Sequence, residues 1–255
     1  WPVGAVWAAG LDWTGRRYAL SGESESGRLL AMGMGRPLQP GRYYVSVIST
    51  DGQPVTATLL SRGIGEGMSI PVIPLAFAGG QATTNLAVRE AAYYRVTVPA
   101  NVSSWKVRLQ ATNGESMLLA LKDRLPNVGA TATASVSIGA GRRMQKAGDE
   151  HFLLLPAAGQ SELAAGLYYL AVVSEGQDAT NATRVGYSLS TFSITSEGQA
   201  PFTNLGEVGG DETVETNHLA GGECRLYQFT VPEGIDNLEL RLEGLAGNPS
   251  LTVIS

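Results

Sequence analysis

An internal repeat constrains this chain more than any single motif, because every copy of a repeat must bury its apolar residues by one scheme. Gly15-Arg16-Arg17 is matched by Gly141-Arg142-Arg143, 126 positions later, and GRYYVSVIS from Gly41 by GLYYLAVVS from Gly166, 125 later. The spacing holds over some 26 residues and the match extends outward. PVGA at Pro2 faces PNVGA at Pro126, and VTATLLSRGIGEG ending at Gly67 faces YSLSTFSITSEG ending at Gly198. A second match joins the middle to the later part of the chain. YRVTVPANVSSWKVRLQ from Tyr94 lies over YQFTVPEGIDNLELRLE from Tyr227 at an offset of 133, and upstream AFAGG ending at Gly80 faces GEVGG ending at Gly210.

These matches divide the chain into three. Residues 1–68 are expected to be the C-terminal half of a module, 69–198 a complete module, and 199–255 the N-terminal half of another. The outer segments are expected to break at the loop that Lys122, Asp123 and Arg124 form in the complete copy, so that together they amount to one more module. The chain starts at Trp1 rather than Met, so any leader is expected to have preceded it.

Within a module the apolar period is two. Tyr94, Val96 and Val98 alternate with Tyr93, Arg95 and Thr97, and Trp105, Val107 and Leu109 with Lys106, Arg108 and Gln110, as in half-buried strands. LYYLAVVS and YSLSTFSI read the same way, and Gly, Pro, Asn and Asp interrupt the runs at the spacing of a sandwich or barrel. No stretch carries a helical period. The expected fold class is all-β, with tandem antiparallel β-sandwich modules of jelly-roll type.

The order of these motifs resembles the bacterial pre-peptidase C-terminal (PPC) domain: an aromatic-Thr-Val-Pro strand, an apolar strand ending in Arg-Leu, an LLALK strand before a Pro-containing loop, then Asp149-Glu150 and AAGLYYLAV. The resemblance covers 69–198 and both half-modules. It implies a sandwich appended to secreted peptidases and other surface proteins, an accessory role, an extracellular or cell-surface location, and in some members binding of substrate or calcium.

Composition closes several function classes. The net charge is −5 and no basic run exceeds two residues, which leaves no footprint for nucleic acid. The most apolar window, Ile70 to Gly79, is about ten residues long and holds Pro71 and Pro74, whereas a membrane span needs around 20 apolar residues. Cys224 is the only cysteine, so no internal disulfide framework exists. It matches Ala91, so a small buried or half-buried residue is expected there.

Candidate chemistry is sparse. The two histidines, His151 and His218, come without a Gly-x-Ser-x-Gly elbow or His-x-x-x-His spacing, so neither a nucleophilic triad nor zinc is assigned, and no catalytic residue is named. Calcium needs only carboxylates and carbonyls on loops, and Asp211, Glu212 and Glu215 in GGDETVET are the residues to test for it. The counterpart GGQATTN has no carboxylate, and the alternative reading is a solvated loop. Each Tyr-Tyr pair presents one ring outward, which makes Tyr43 and Tyr168 candidates for a sugar or ligand platform, against packing in the core. Asn101-Val102-Ser103 and Asn181-Ala182-Thr183 are glycosylation sequons. GMGRP and GIGEG lack the context of a phosphate loop and read as turns.

Two functions fit. In the first, the chain is a non-enzymatic structural repeat of a surface or fibre-forming protein, whose half-modules are completed by each other or by neighbouring copies through strand complementation. In the second, it is an accessory module of a secreted enzyme that binds polysaccharide or a protein substrate.

Overall fold

The computed structural model describes residues 40–45, 47, 49, 52–87, 90–126, 142–145, 148–174, 189–209, 211–244 and 246–253. Their regular structure is all strand: β1 Val72–Leu75, β2 Ala78–Ala87, β3 Ala91–Val98, β4 Trp105–Asn113, β5 Ser116–Lys122, β6 Arg142–Met144, β7 Glu150–Leu154, β8 Gly166–Ser174, β9 Leu189–Gly198, β10 Phe202–Glu207 and β11 Leu226–Thr230. Among the described residues no helix is long and apolar enough to cross a membrane.

Strands β1 to β9 build two sheets, ordered β1-β3-β8-β5-β6 and β2-β9-β4-β7. The antiparallel pairs nest: β2 with β9, β3 with β8, β4 with β7, and β5 with β6. This is one long hairpin rolled into two layers, the jelly-roll arrangement. The core lies between the layers. Tyr94, Val96, Val98, Leu118, Leu170 and Val172 face Trp105, Val107, Leu109, Phe152, Phe192 and Ile194, all buried. Trp105 is its largest member. It packs edge-on to Phe152 and Tyr168 at 5.5 and 5.3 Å, and its Nε1 donates to Ser196 Oγ at 2.9 Å, which in turn donates to the Phe77 carbonyl at 2.6 Å. A buried indole N–H thus has the partner it needs.

Two features differ from the sequence expectation. The sheets are not purely antiparallel, for β1 runs parallel to β3, with Val72 opposite Tyr93 and Leu75 opposite Val96. Parallel neighbours need a crossover, and here it is β2, which passes through the opposite sheet. Second, β5 and β8 are buried on both faces. Tyr93, Met117, Leu119, Ala171 and Val173 form a second cluster on the outer face, against which Ile64, Ile70, Val72, Ala91 and Leu125 pack. The GIGEG turn supplies Ile64. It closes through Gly65 N–H to the Ile70 carbonyl at 2.9 Å, and Arg62 anchors it to Glu90 at 2.8 Å.

Gly166 opens β8 at φ +134°, a conformation that glycine reaches at little cost. Its neighbour Leu167 accepts the Asp123 N–H at 2.8 Å, which joins β8 to the loop after β5. That accounts for the glycine at the head of the GLYYLAVVS motif.

Candidate functional site

The segment after β9 contains a two-stranded sheet in which β10 and β11 run parallel, Phe202 opposite Leu226, Thr203 opposite Tyr227 and Asn204 opposite Gln228. Moved back by the repeat offsets of 130 and 133, these pairs become Val72 with Tyr93, Ile73 with Tyr94 and Pro74 with Arg95, the register of β1 on β3. The same sequence pattern has made the same local pairing twice. Val208 N–H extends it by donating to the Thr230 carbonyl at 2.8 Å.

There the likeness stops. In the sandwich the far edge of β3 is covered by β8, whereas β11 has β10 as its one partner among the described residues. GRYYVSVIS, the counterpart of β8, is not a strand at any of its described positions. Residues that the sandwich buries are exposed at their repeat positions. Leu109 is 1% exposed and Leu242 44%, Tyr94 0% and Tyr227 37%, and Val172 0% and Val47 60%.

The topology explains the contrast. Divided at the loop after β5, the sandwich has β1 to β5 in one half and β6 to β9 in the other. Apart from β1 with β3, each pairing joins the two halves. A half alone can form only the β1–β3 ribbon, and β10–β11 is that ribbon. The edge of β11 that has no strand partner among the described residues, with the exposed apolar side chains beside it, is the main candidate site.

The residues singled out from sequence are placed as follows. Tyr43 and Tyr44 are both exposed, in the GRYYVSVIS segment. Tyr168 is a correction: it is 6% exposed, lies in the core, and donates its hydroxyl to the Ala164 carbonyl at 2.9 Å, so it offers no outward ring. Burial raises its pKa, with the Lys122 ammonium 5.9 Å from the ring opposing the shift. Asp211, Glu212 and Glu215 are exposed, and they are not brought together: among the described residues no group of three or more His, Cys, Asp or Glu is placed to hold a metal ion. Asp149 is engaged by Arg108 at 2.7 Å.

Asn101 is exposed in the β3–β4 loop at φ +61°, which asparagine tolerates, while Ser103 of its sequon accepts a hydrogen bond from Gln199 Nε2 at 2.8 Å. Asn181 lies outside the described residues. Cys224 is exposed, whereas its repeat counterpart Ala91 is half-buried; among the described residues the sheet beside Cys224 has two strands. It borders a cleft of about 160 Å³ with Lys106, Thr203 and Glu223. Ala220 N–H donates to Glu223 Oε2 at 3.0 Å and holds that carboxyl below its usual range.

A buried polar group escaped the sequence reading. Glu115 is fully buried beside β5, with Oε2 accepting Gly148 N–H at 3.1 Å. Next to it Ser174 and Ser190 share a hydroxyl contact at 2.6 Å, and Ser190 also donates to the Glu115 carbonyl at 3.3 Å. These bonds stitch the two sheets at one end of the sandwich, and Gly-Glu-Ser after an asparagine looks like an ordinary exposed turn in sequence.

No family model and no curated protein matches the chain. Solved structures do. One is a 1.0 Å crystal structure of the pre-peptidase C-terminal domain of a collagenase from Bacillus anthracis, 9% identical, with a TM-score of 0.31, covering 50% of this chain and 95% of that one.

Proposed function

We propose that the chain is a non-enzymatic, extracellular structural repeat, PPC-like in kind, that assembles by closing its open half-sandwiches against complementary halves. One observation carries the reading: repeat positions that are buried in the sandwich, such as Leu109 and Tyr94, are solvent-exposed at Leu242 and Tyr227. Exposed large apolar residues recur along the later segment, among them Phe202, Val231, Leu238, Leu240, Leu251 and Val253. Soluble proteins rarely leave such a surface uncovered unless it binds something. A two-stranded parallel ribbon is also marginal by itself.

Analytical ultracentrifugation over a dilution series, from nanomolar to high micromolar, tests this. The expected result is reversible, concentration-dependent growth beyond the monomer. A species that stays monomeric throughout and exposes no dye-binding apolar surface refutes assembly.

A further inference from the structure

We infer that residues 62–70 are a releasable strap, latched by the Arg62–Glu90 ion pair, that covers a second apolar surface of the sandwich and lifts from it as a unit while the two sheets stay closed. That surface is the outer face of β3, β8 and β5. It consists of Tyr93, Met117, Leu119, Ala171 and Val173, each at most 2% exposed. Ile64 and Ile70 of the strap pack on it and are themselves half-buried. An apolar face of this kind calls for a cover, and the strap is the occupant seated on it.

Three observations set the strap apart from the sheets. First, it is folded on itself. Gly65 N–H donates to the Ile70 carbonyl at 2.9 Å, Met68 N–H to the Gly65 carbonyl at 3.1 Å and Ile70 N–H to the Gly63 carbonyl at 3.2 Å. Gly65 makes the turn at φ +136°, which only glycine reaches at little cost. These bonds travel with the strap, so lifting it breaks none of them. Second, among the described residues its holds on the sandwich are side chains: Ile64 and Ile70 on the apolar face, and Arg62 Nη2 on Glu90 Oε1 at 2.8 Å. Third, the latch is fixed at one end and wet at the other. Ser174 N–H donates to the Glu90 carbonyl at 3.0 Å and holds Glu90 beside β8, while the Arg62 side chain is 45% exposed. A pair that accessible is a weak hold and is screened by salt. The Arg62 charge also reaches the Tyr93 hydroxyl, where it opposes the rise in pKa that burial causes, so the latch lies over the covered surface.

The inner face of the same strands is held differently. Val172, next to Val173 on β8, lies between the sheets in the main core, which opens only when the ladders part. A segment held by a few side chains opens at far lower cost than that. The residues before β1 are fastened to the sandwich through this strap, so its release turns a fixed entry into a joint.

Thiol labelling reads the release directly. In a Cys224→Ala background, Val173→Cys and Val172→Cys place the same small change at adjacent positions, both 0% exposed, one under the strap and one between the sheets. The thiol of Val173→Cys should react with a soluble thiol reagent on the order of tenfold or more faster than that of Val172→Cys. Arg62→Ala should raise the rate at position 173 by about two- to fivefold and leave position 172 unchanged, and added salt should act in the same direction. Ala171→Cys, on the same outer face, is the second probe if Val173→Cys does not fold. The rates are read on dilute protein, so the outcome of the centrifuge experiment does not enter them. Equal rates on the outer and inner faces would mean that the outer face opens only with the whole sandwich, and they overturn the strap. A faster outer rate that neither Arg62→Ala nor salt changes overturns the ion pair as its latch.

Discussion

Leu109 and Leu242 are the same residue at equivalent places in the repeat, one in a closed core and one in an open half, so Leu→Ala at each measures what closure contributes. Leu109 sits between the sheets at 1% exposure. Burying a leucine stabilises by about 1.5–3 kcal/mol, and the cavity left by truncation adds to that, for a total of about 2–5 kcal/mol. With an m-value of about 2 kcal/mol per molar urea, a loss of about 3 kcal/mol lowers the unfolding midpoint by about 1.5 M. Leu242 is 44% exposed, and truncation there leaves a space that water fills, so its effect in dilute solution is under about 0.5 kcal/mol. Urea unfolding followed by near-ultraviolet circular dichroism, run at low and high protein concentration, separates the two. Leu109→Ala should lower the midpoint by the same amount at both concentrations. Leu242→Ala should be silent when dilute and should weaken assembly when concentrated, since closure buries it. Equal losses in the dilute monomer would mean that the later segment already has its own core, and the argument from exposure would fail.

Ser196→Ala removes the acceptor for Trp105 Nε1 and the donor to the Phe77 carbonyl, leaving buried polar atoms unsatisfied, and should cost about 1–3 kcal/mol; an unchanged thermal midpoint refutes this. Alkaline stability should follow Tyr93, Tyr94 and Tyr168, whose pKa values burial raises above the ordinary value of about 10. Above pH 10 the unfolded chain releases these protons and the folded chain keeps them, so stability is intact below that pH and falls as pH rises beyond it; tyrosinate absorbance should appear together with unfolding, and early titration of these rings without unfolding contradicts the reasoning.

Alternation read the inner layer well, because Tyr94, Val96 and Val98 and then Trp105, Val107 and Leu109 each occupy one face of a strand whose other face is more polar. It misread Tyr168. Adjacent rings on a strand point opposite ways, and which points inward follows from parity: Tyr168 shares its face with Leu170 and Val172, so the signal was available in the same nine residues. By that parity Tyr43 would face inward too if its segment became a strand. The double burial of β8 had a weaker signal. LAVV is a continuous apolar run, as expected of a strand covered on both sides, but the cover includes Ile64 and Ile70, about 100 residues away, and local pattern does not name a distant partner. Cys224 failed for the opposite reason. Its repeat position predicts packing, and among the described residues β11 has β10 alone as a strand partner.

The interleaving of the halves leads to a final prediction, that the complete sandwich survives a cut in the loop after β5 but neither fragment folds alone. Lys122 ends β5, and an exposed Asp123 and a half-buried Arg124 follow it, with Lys122 paired to Asp123 at 2.9 Å. A protease site placed at Arg124 therefore breaks one loop and no sheet ladder. After cleavage β2 still has β9, β3 and β5 still have β8, and β4 still has β7 and β9, so these ladders and the shared apolar core hold the fragments together. The far-ultraviolet and near-ultraviolet dichroism of the nicked protein should match the intact chain, with a midpoint that now depends on concentration because unfolding separates two molecules. Expressed alone, 69–124 keeps just the β1–β3 ribbon, and 125–198 keeps none of the pairings among described strands, so neither should show fixed aromatic signals. Mixing the two should restore them. A lone fragment with a cooperative transition and a buried Trp105 would show that a half closes on itself, and it would remove the physical reason for β11 to seek a partner.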